Sequence, residues 1–389
     1  MNDLHALIIG AGLGGLTAAL ALQRSGFRVS VYEQAPEMGE IGAGVTITPN
    51  ACHALDHLLG EDFVERICYV PASGAIKHFA TGATLIDTRR GDLPKQKYGA
   101  HYCQVHRADL HDALAGAVRR NDADALHIDS RFTALQESDS AVRARFANGQ
   151  TASGDILIGC DGIRSAVRRS LWGADEPRFT GYIAWRGLVP TARLEPEFQT
   201  PDSAAFAGRG RTFTRYKVRQ GTLFNFVAFS RRDEWEAESW SERAKISEVL
   251  NEFKDFAPEV QAILQATSPE QCFKWGLFDR SPLARWTVGR STLLGDAGHP
   301  MTPFLAQGAA MAIEDGLILA RAVDAAGDWR EALSRYEKAR RERGTFVMLE
   351  SQVNARRIYT RDPDDLDRNS HKSAEALGLY EYNPLTAPV

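Results

Sequence analysis

Residues 4–33 read Leu4-His-Ala-Leu-Ile-Ile9, then Gly10-Ala11-Gly12-Leu13-Gly14-Gly15, an Ala/Leu-rich run to Gln23, a Ser25-Gly26 stop, and Arg28-Val-Ser-Val-Tyr32-Glu33. The first apolar run predicts a short buried strand, the Ala/Leu run a helix, and residues 28–32 a second strand. A βαβ unit of about 30 residues follows, which implies a parallel sheet with a right-handed crossover. Gly10, Gly12 and Gly15 match GxGxxG between strand and helix. The first glycine permits the tight turn, the second lets the backbone approach a pyrophosphate, and the third lets helix and strand pack closely. The helix N-terminus offers N–H groups and a positive dipole end to an anion. Glu33 closes the second strand, where an acid can accept hydrogen bonds from ribose hydroxyls. The competing reading is a glycine-rich turn beside a surface glutamate. The motif says dinucleotide without saying which.

The rest of the chain bounds the class. It has 389 residues, 44% hydrophobic and 25% charged, which suits a globular protein of two or three units. With 46 Lys+Arg against 50 Asp+Glu and a net charge of -4, no basic face for nucleic acid is expected. No apolar run reaches the ~18–20 residues of a membrane span, and the N-terminus lacks a basic region before its apolar stretch. No membrane association is expected, and the cytoplasm is the expected location. Cys52, Cys68, Cys103, Cys160 and Cys272 are odd in number, separated and without CxxC, so neither a disulfide framework nor structural zinc is expected. His101, His106 and His111 recur at a five-residue step, which does not converge on one helix face, so no metal site is expected.

Further along, residues 109–120 predict a helix, 141–147 a strand meeting the Asn148-Gly149 hairpin signal, and 155–159 a buried strand leading into Asp161-Gly162. Residues 179–232 turn aromatic and β-branched, with a strand at 222–229. Residues 241–266 predict helix, 291–295 a third buried strand ending in Gly295-Asp296, and 308–322 and 329–357 two more helices. The last ~30 residues are polar and expected to be partly loose. The fold class is α/β (α+β): a discontinuous Rossmann-like unit with a parallel sheet in pieces 1–175 and 285–345, a β-rich insertion at 176–284, and a C-terminal helical and irregular segment at 346–389.

Two later segments carry the chemistry. Asp155-Ile-Leu-Ile-Gly-Cys-Asp161-Gly162-Ile-Arg164 is a strand, a sharp Asp-Gly turn and a basic helix start. Arg290-Ser-Thr-Leu-Leu-Gly295-Asp296-Ala-Gly-His299-Pro300 is a second strand ending in Gly-Asp, followed by Gln307-Gly308-Ala309-Ala310 at a helix start. With the glycine motif, in this order, they resemble the class A FAD-dependent aromatic hydroxylases of the para-hydroxybenzoate hydroxylase type. The segments Ile41–Asn50 (IGAGVTITPN), Gly181–Gly187 (GYIAWRG) and the HPM-P-AQGA run look like the branch containing salicylate hydroxylase, 3-hydroxybenzoate 6-hydroxylase and 6-hydroxynicotinate 3-monooxygenase.

The resemblance implies an FAD-binding domain in the discontinuous unit and a substrate domain in the insertion. It implies a cytoplasmic monooxygenase that uses NADH or NADPH and O2, through a flavin C4a-hydroperoxide, on a small hydroxybenzoate- or hydroxypyridine-carboxylate-like acid. Gly10, Gly12, Gly15, Glu33 and Gln34 would hold the adenosine diphosphate, Arg107 the flavin chain, and Phe132 the adenine through its backbone. Asp296 would accept from ribityl hydroxyls, and Ala309 and Ala310 would present N–H groups to the flavin pyrimidine. Asp161 would serve the fold and Arg164 the nicotinamide encounter; no second GxGxxG is present, which suits a nicotinamide cofactor that visits transiently.

Alternatives stay open at several positions. Arg107 could instead pair with Asp109, and Asp296 could be a turn acid; His299 reads as a turn residue rather than a base. Tyr216 could touch substrate as the catalytic hydroxyl or be a half-buried strand tyrosine, and Gln307 could orient a substrate or only stabilise its turn. Where a relative carries a base histidine this chain has Thr46, and Thr212–Val218 contains none, so histidine-driven deprotonation at those positions is not expected. Of the basic cluster Arg209, Arg211, Arg215, Arg219, Arg231 and Arg232, one member could attract an anionic substrate. A homodimer is compatible with the residues and not required by them. The rival functions are an epoxide- or quinone-forming flavoprotein oxygenase and a non-catalytic flavin-binding regulator.

Overall fold

The computed structural model describes residues 4–39, 43–232, 242–360 and 373–389; Ile41 and Gly42 of the IGAGVTITPN segment and Ser241 at the start of the helix expected over 241–266 lie outside them. The opening βαβ unit forms as the sequence predicts. His5–Ile9 pairs in parallel with Arg28–Tyr32 on one side and Ile156–Gly159 on the other. Ser291–Leu293, with Thr287–Val288 antiparallel beyond it, and Leu126–His127 complete the six strands. Leu7, Ile8, Leu157 and Ile158 are wholly buried, each worth about 1.5–3 kcal/mol of apolar burial. The chain reverses direction across the sheet at the central strand, which opens a crevice at the carboxyl ends of His5–Ile9 and Ile156–Gly159.

The helix Leu13–Arg24 starts at Gly12 without a side-chain cap and ends at Ser25. Its one β-branched residue, Thr17, donates its hydroxyl to Leu13 O at 2.6 Å, which satisfies it inside the core. The helix lies against Gly308–Asp324 so closely that a Cβ on Gly316 would sit 2.7 Å from the Ala18 nitrogen. That crossing brings two helix N-termini to the same crevice.

The second layer is an eight-stranded sheet in the order Glu242–Arg243, Cys272–Asp279, Arg178–Pro190, Leu223–Arg231, Arg211–Val218, Ser203–Gly208, Gly74–His78, Thr84–Asp87. One face buries Trp185, Phe206, Phe213, Phe224 and Phe226 under helices Ile246–Glu252 and Pro258–Ala266. The other face looks toward the crevice.

Four expectations are corrected. The piece 1–175 is too broad, because Gly74–His78 pairs in parallel with Ser203–Gly208 and so carries Thr84–Asp87 into the β-rich sheet. Asp202 fixes that junction by accepting from the Ala72 and Ser73 N–H groups at 2.9 and 3.1 Å. The boundary at 345/346 cuts a single helix, Trp329–Thr360. The helix expected over 241–266 is a strand pair at Glu242–Arg243 and two helices, the second beginning at Pro258, which has no N–H to continue a preceding helix. Residues 373–389, expected to be loose, are fastened by guanidinium groups: Arg321 donates to Pro384 O and Ala387 O at 2.7 Å each, and Arg343 to Leu379 O at 3.1 Å. Among the described residues no helix is long and apolar enough to cross a membrane.

Candidate active site

A single cavity of about 650 Å³ runs from Gly12, Leu13 and Gly14 past Arg107, Asp296 and Ala309 to the inner face of the eight-stranded sheet. Its nucleotide end is made mainly of backbone. Gly10 has φ +104°, and a Cβ there would lie 2.5 Å from Cys160 O; a Cβ on Gly15 would lie 2.1 Å from Gly10 O. Only glycine fits either place. At Gly12, by contrast, an added Cβ meets nothing within 4 Å, so the backbone there faces open space. Glu33 accepts from the Ala11 and Ala35 N–H groups at 2.9 Å each, which ties the glycine turn to the end of the second strand. Gln34 is exposed beside it. Phe132 is buried opposite Phe146 and is not among the residues lining the cavity.

Arg107 opens the helix Arg107–Asn121 and lines the cavity. Asp109 pairs with Arg219, at 2.7 and 2.9 Å. Asp296 lines the cavity and is exposed there. Burial raises its pKa, and the nearby His299 and Arg107 pull the other way. The helix Gly308–Asp324 has no side-chain cap at Gln307, and its first helical bond is Met311 N–H to Gln307 O at 2.8 Å. The N–H groups of Gly308, Ala309 and Ala310 therefore have no partner in the preceding turn. Ala309 lines the cavity and Ala310 is buried beside it.

Gln307 itself is not a cavity residue. It is fully buried, donates to Thr48 Oγ1 at 3.0 Å, and accepts from Asn50 Nδ2 at 3.1 Å. It stabilises the turn, and the expected catalytic role is withdrawn. His299 is likewise spent: it bonds Asp315 Oδ2 at 2.5 Å. Asp315 also accepts from Gly295 N–H at 3.0 Å and Arg340 Nε at 2.6 Å. Burial works to raise the Asp315 pKa, but His299 and Arg340 outweigh it and hold the carboxyl down at about 2. This network fixes the Gly-Asp turn from behind. The Asp-Gly turn is fixed by Asp161, which accepts from Ala166 and Val167 N–H at 2.7 and 3.1 Å. Arg168, inside that helix, reaches Ala297 O at 3.3 Å and joins the two turns. Arg164 is exposed at the mouth.

His101 and His111 bond Glu65 and Ala11 O, each at 2.8 Å, and His106 lies 3.4 Å from Asp109. The five cysteines are free thiols, although folding brings Cys52 and Cys103 to 3.9 Å.

The other end of the cavity is floored by side chains. Along Arg178–Pro190, Ile183 and Trp185 enter the core under the helices, while Tyr182, Ala184 and Arg186 take the opposite face. Register places Arg186 opposite Val227, Val227 opposite Thr214, and Thr214 opposite Ala205. Phe229, Trp275, Thr212 and Tyr216 surround that row. Tyr216 is buried against Gly44, whose Cβ would fall 2.5 Å from its ring. Burial and Tyr102 raise the Tyr216 pKa, opposed by Arg186. Tyr102, Tyr380 and Arg90 form the far wall. Sequence reasoning missed Arg186, Gln104 and Tyr380 as lining residues. For Arg186 the signal existed: it is a charge on the inward period of a strand.

The nucleotide end fits FAD. Open space at Gly12, two uncapped helix N-termini, the Arg107 guanidinium and the Asp296 carboxylate offer donors to a pyrophosphate and a flavin edge, and an acceptor to hydroxyls. Crevice and floored chamber together define a dinucleotide-cofactor enzyme that acts on a small molecule.

The chain belongs to the family of the FAD binding domain, whose model matches residues 3–351. It is 36% identical over 383 residues to the 3-amino-4-hydroxybenzoate 2-monooxygenase PtmB3 of Streptomyces platensis, covering 96% of this chain and 94% of that one. The 6-hydroxynicotinate 3-monooxygenase of Bordetella bronchiseptica is 36% identical over 92% of this chain and 93% of its own. Klebsiella pneumoniae HpxO, solved with FAD and uric acid, superposes with a TM-score of 0.87 at 28% identity, covering 99% of this chain and 97% of that one. The protein is an FAD-dependent aromatic monooxygenase of the class A hydroxylases, as the motif resemblance implied.

Proposed function

We propose that the protein hydroxylates a small aromatic carboxylic acid of the hydroxybenzoate or hydroxypyridine type, using NADH or NADPH and O2. The observation that carries this reading is the continuity of one cavity from the FAD crevice to a floor holding Tyr216, Thr212, Thr214, Phe229 and Trp275. Bound FAD supplies the oxygen-activating chemistry. The remaining work belongs to side chains. Gly10, Gly12, Gly15, Glu33 and Gln34 hold the nucleotide, Phe132 meets the adenine through its backbone, and Arg107 and Asp296 bind the chain that leads to the flavin. The Ala309 and Ala310 end of the helix favours negative charge on the flavin edge when electrons arrive.

At the chamber, Trp275 and Phe229 give an aromatic ring an apolar seat and keep water from it. Tyr216 lines this floor with a phenolic hydroxyl, beside Thr212 and Thr214. Its raised pKa keeps it protonated at neutral pH, so its Oη donates a hydrogen bond to a substrate phenolate oxygen. The test is incubation of the FAD-loaded protein with a panel of aromatic acids, NADH and NADPH. A product heavier by one oxygen, formed with matching nicotinamide oxidation, supports the reading. Nicotinamide oxidation that ignores every acid in the panel, with hydroxylation of none, refutes it.

A further inference from the structure

We propose that Gln104 is a specificity-determining residue whose amide oxygen accepts a hydrogen bond from an amino or hydroxyl group that the substrate ring carries besides the hydroxyl meeting Tyr216. This rests on the aromatic-acid reading above and narrows it to rings with a second donor. Gln104 is 2% exposed and lines the cavity, and its Oε1 is buried with no hydrogen-bond partner among the described residues. A buried acceptor left without a donor is destabilising, and a ligand N–H or O–H that reaches it removes the deficit on binding.

The fold leaves this side chain little freedom to turn elsewhere, because the backbone of Gln104 is held on both edges. On one, its N–H donates to Tyr69 O at 2.9 Å and its O accepts from Tyr69 N–H at 2.7 Å. On the other, Cys103–His106 pairs antiparallel with Gly44–Ile47, which sets Gln104 opposite Thr46. Alternation then chooses the face. Cys103 and Val105 are wholly buried in the core of the nucleotide-binding unit, so Tyr102 and Gln104 take the opposite side, and both line the cavity.

That side lies between the two ends of the cavity. Three residues on, Arg107 stands at the cofactor end; two residues back, Tyr102 belongs to the far wall. Gly44, two residues from Thr46 on the paired strand, is the glycine against which the Tyr216 ring packs. The strand that carries Tyr216, Arg211–Val218, also packs on Cys103–His106. With strands about 4.8 Å apart and about 3.4 Å per residue, Gln104 and Gly44 have their Cα atoms on the order of 8 Å apart. The Gln104 amide and the Tyr216 hydroxyl therefore address one small volume, and a single ring can meet both. Their demands are complementary, since Tyr216 donates and Gln104 accepts. A ring with a phenolate alone satisfies the first and leaves the second unpaired, which is how a site built around a hydrogen bond rejects an analogue lacking it.

The test is titration of the FAD-loaded protein, followed by flavin absorbance, with the monohydroxybenzoates and with their amino- and methyl-substituted congeners. Amino and methyl groups are nearly equal in size, and only the amino group donates. The wild type binds its best amino congener about ten- to a hundredfold more tightly than the methyl compound of the same substitution pattern. Gln104→Met, similar in length and lacking the amide, keeps its flavin and brings that ratio close to one; if it folds poorly, Gln104→Leu makes the same comparison. A wild type that does not distinguish amino from methyl overturns the assignment whatever the variants do. Discrimination retained in flavin-loaded Gln104→Met overturns it as well. So does loss of flavin from a variant with an unchanged circular-dichroism spectrum, which gives the amide to the cofactor instead. In these three cases the aromatic-acid reading stands. If no acid of the panel perturbs the flavin of the wild type and none is hydroxylated, that reading falls and this assignment with it.

Discussion

The two ends of the cavity are built from different materials. At the nucleotide end the donors are backbone N–H groups at the starts of Leu13–Arg24 and Gly308–Asp324, and the selective pressure falls on what must be absent, namely side chains at Gly10 and Gly15. At the sheet end the backbone is consumed by strand pairing, and the lining is made of side chains, among them Tyr216, Thr212, Thr214 and Trp275. The first end admits one ligand shape. The second can be rewritten residue by residue while the strands stay paired.

The largest expected effect tests the first half of that contrast. Gly15→Ala puts a methyl 2.1 Å from Gly10 O, a contact neither backbone can relieve, so the purified protein loses nearly all its flavin and melts several degrees lower. Gly12→Ala is the control, since its Cβ meets open space. The fold and melting temperature are kept, and only flavin affinity falls. Next, Asp296→Ala removes the one carboxylate that lines the cavity among the described residues; flavin content falls at least tenfold by absorbance, and secondary structure by circular dichroism is unchanged. Full activity would contradict its cofactor role. Smaller, and confined to the other end, Tyr216→Phe keeps flavin but lowers the product formed per nicotinamide oxidised severalfold, with peroxide making up the difference. An unchanged ratio removes Tyr216 from the chemistry.

The smallest effect is a pH dependence. The folded Asp315 pKa of about 2 lies below the ~3.9 of a free aspartate. Its stabilisation is full above pH ~4 and is lost as pH falls toward 2. Thermal melts should show that loss, and Asp315→Asn should lack that part of the slope.

The same contrast explains what could be read in advance. The strand, turn and helix of residues 4–33 were legible because the motif is local and its physics belongs to the backbone. The Asp-Gly and Gly-Asp turns were legible for the same reason, each ending a buried parallel strand. Gln307 was misread because its position at a helix start looks identical whether its amide faces ligand or, as found, Thr48 and Asn50 from a segment more than 250 residues earlier. Gly74–His78 was placed in the wrong unit because its partner, Ser203–Gly208, is remote in sequence. Arg186 escaped notice because the side an inward charge takes is settled only when strand register sets it beside Trp275. The polar composition of the last residues suggested looseness, and composition does not reveal that Arg321 and Arg343 wait elsewhere to grip their carbonyls.

That gripped tail has a practical meaning. Tyr380 and Ala374 form part of the reaction compartment, and Arg335 reaches Val389 O at 3.2 Å. Substitutions at Ala374 or Tyr380 thus reshape the cavity wall from a part of the chain remote in sequence from the glycine signature.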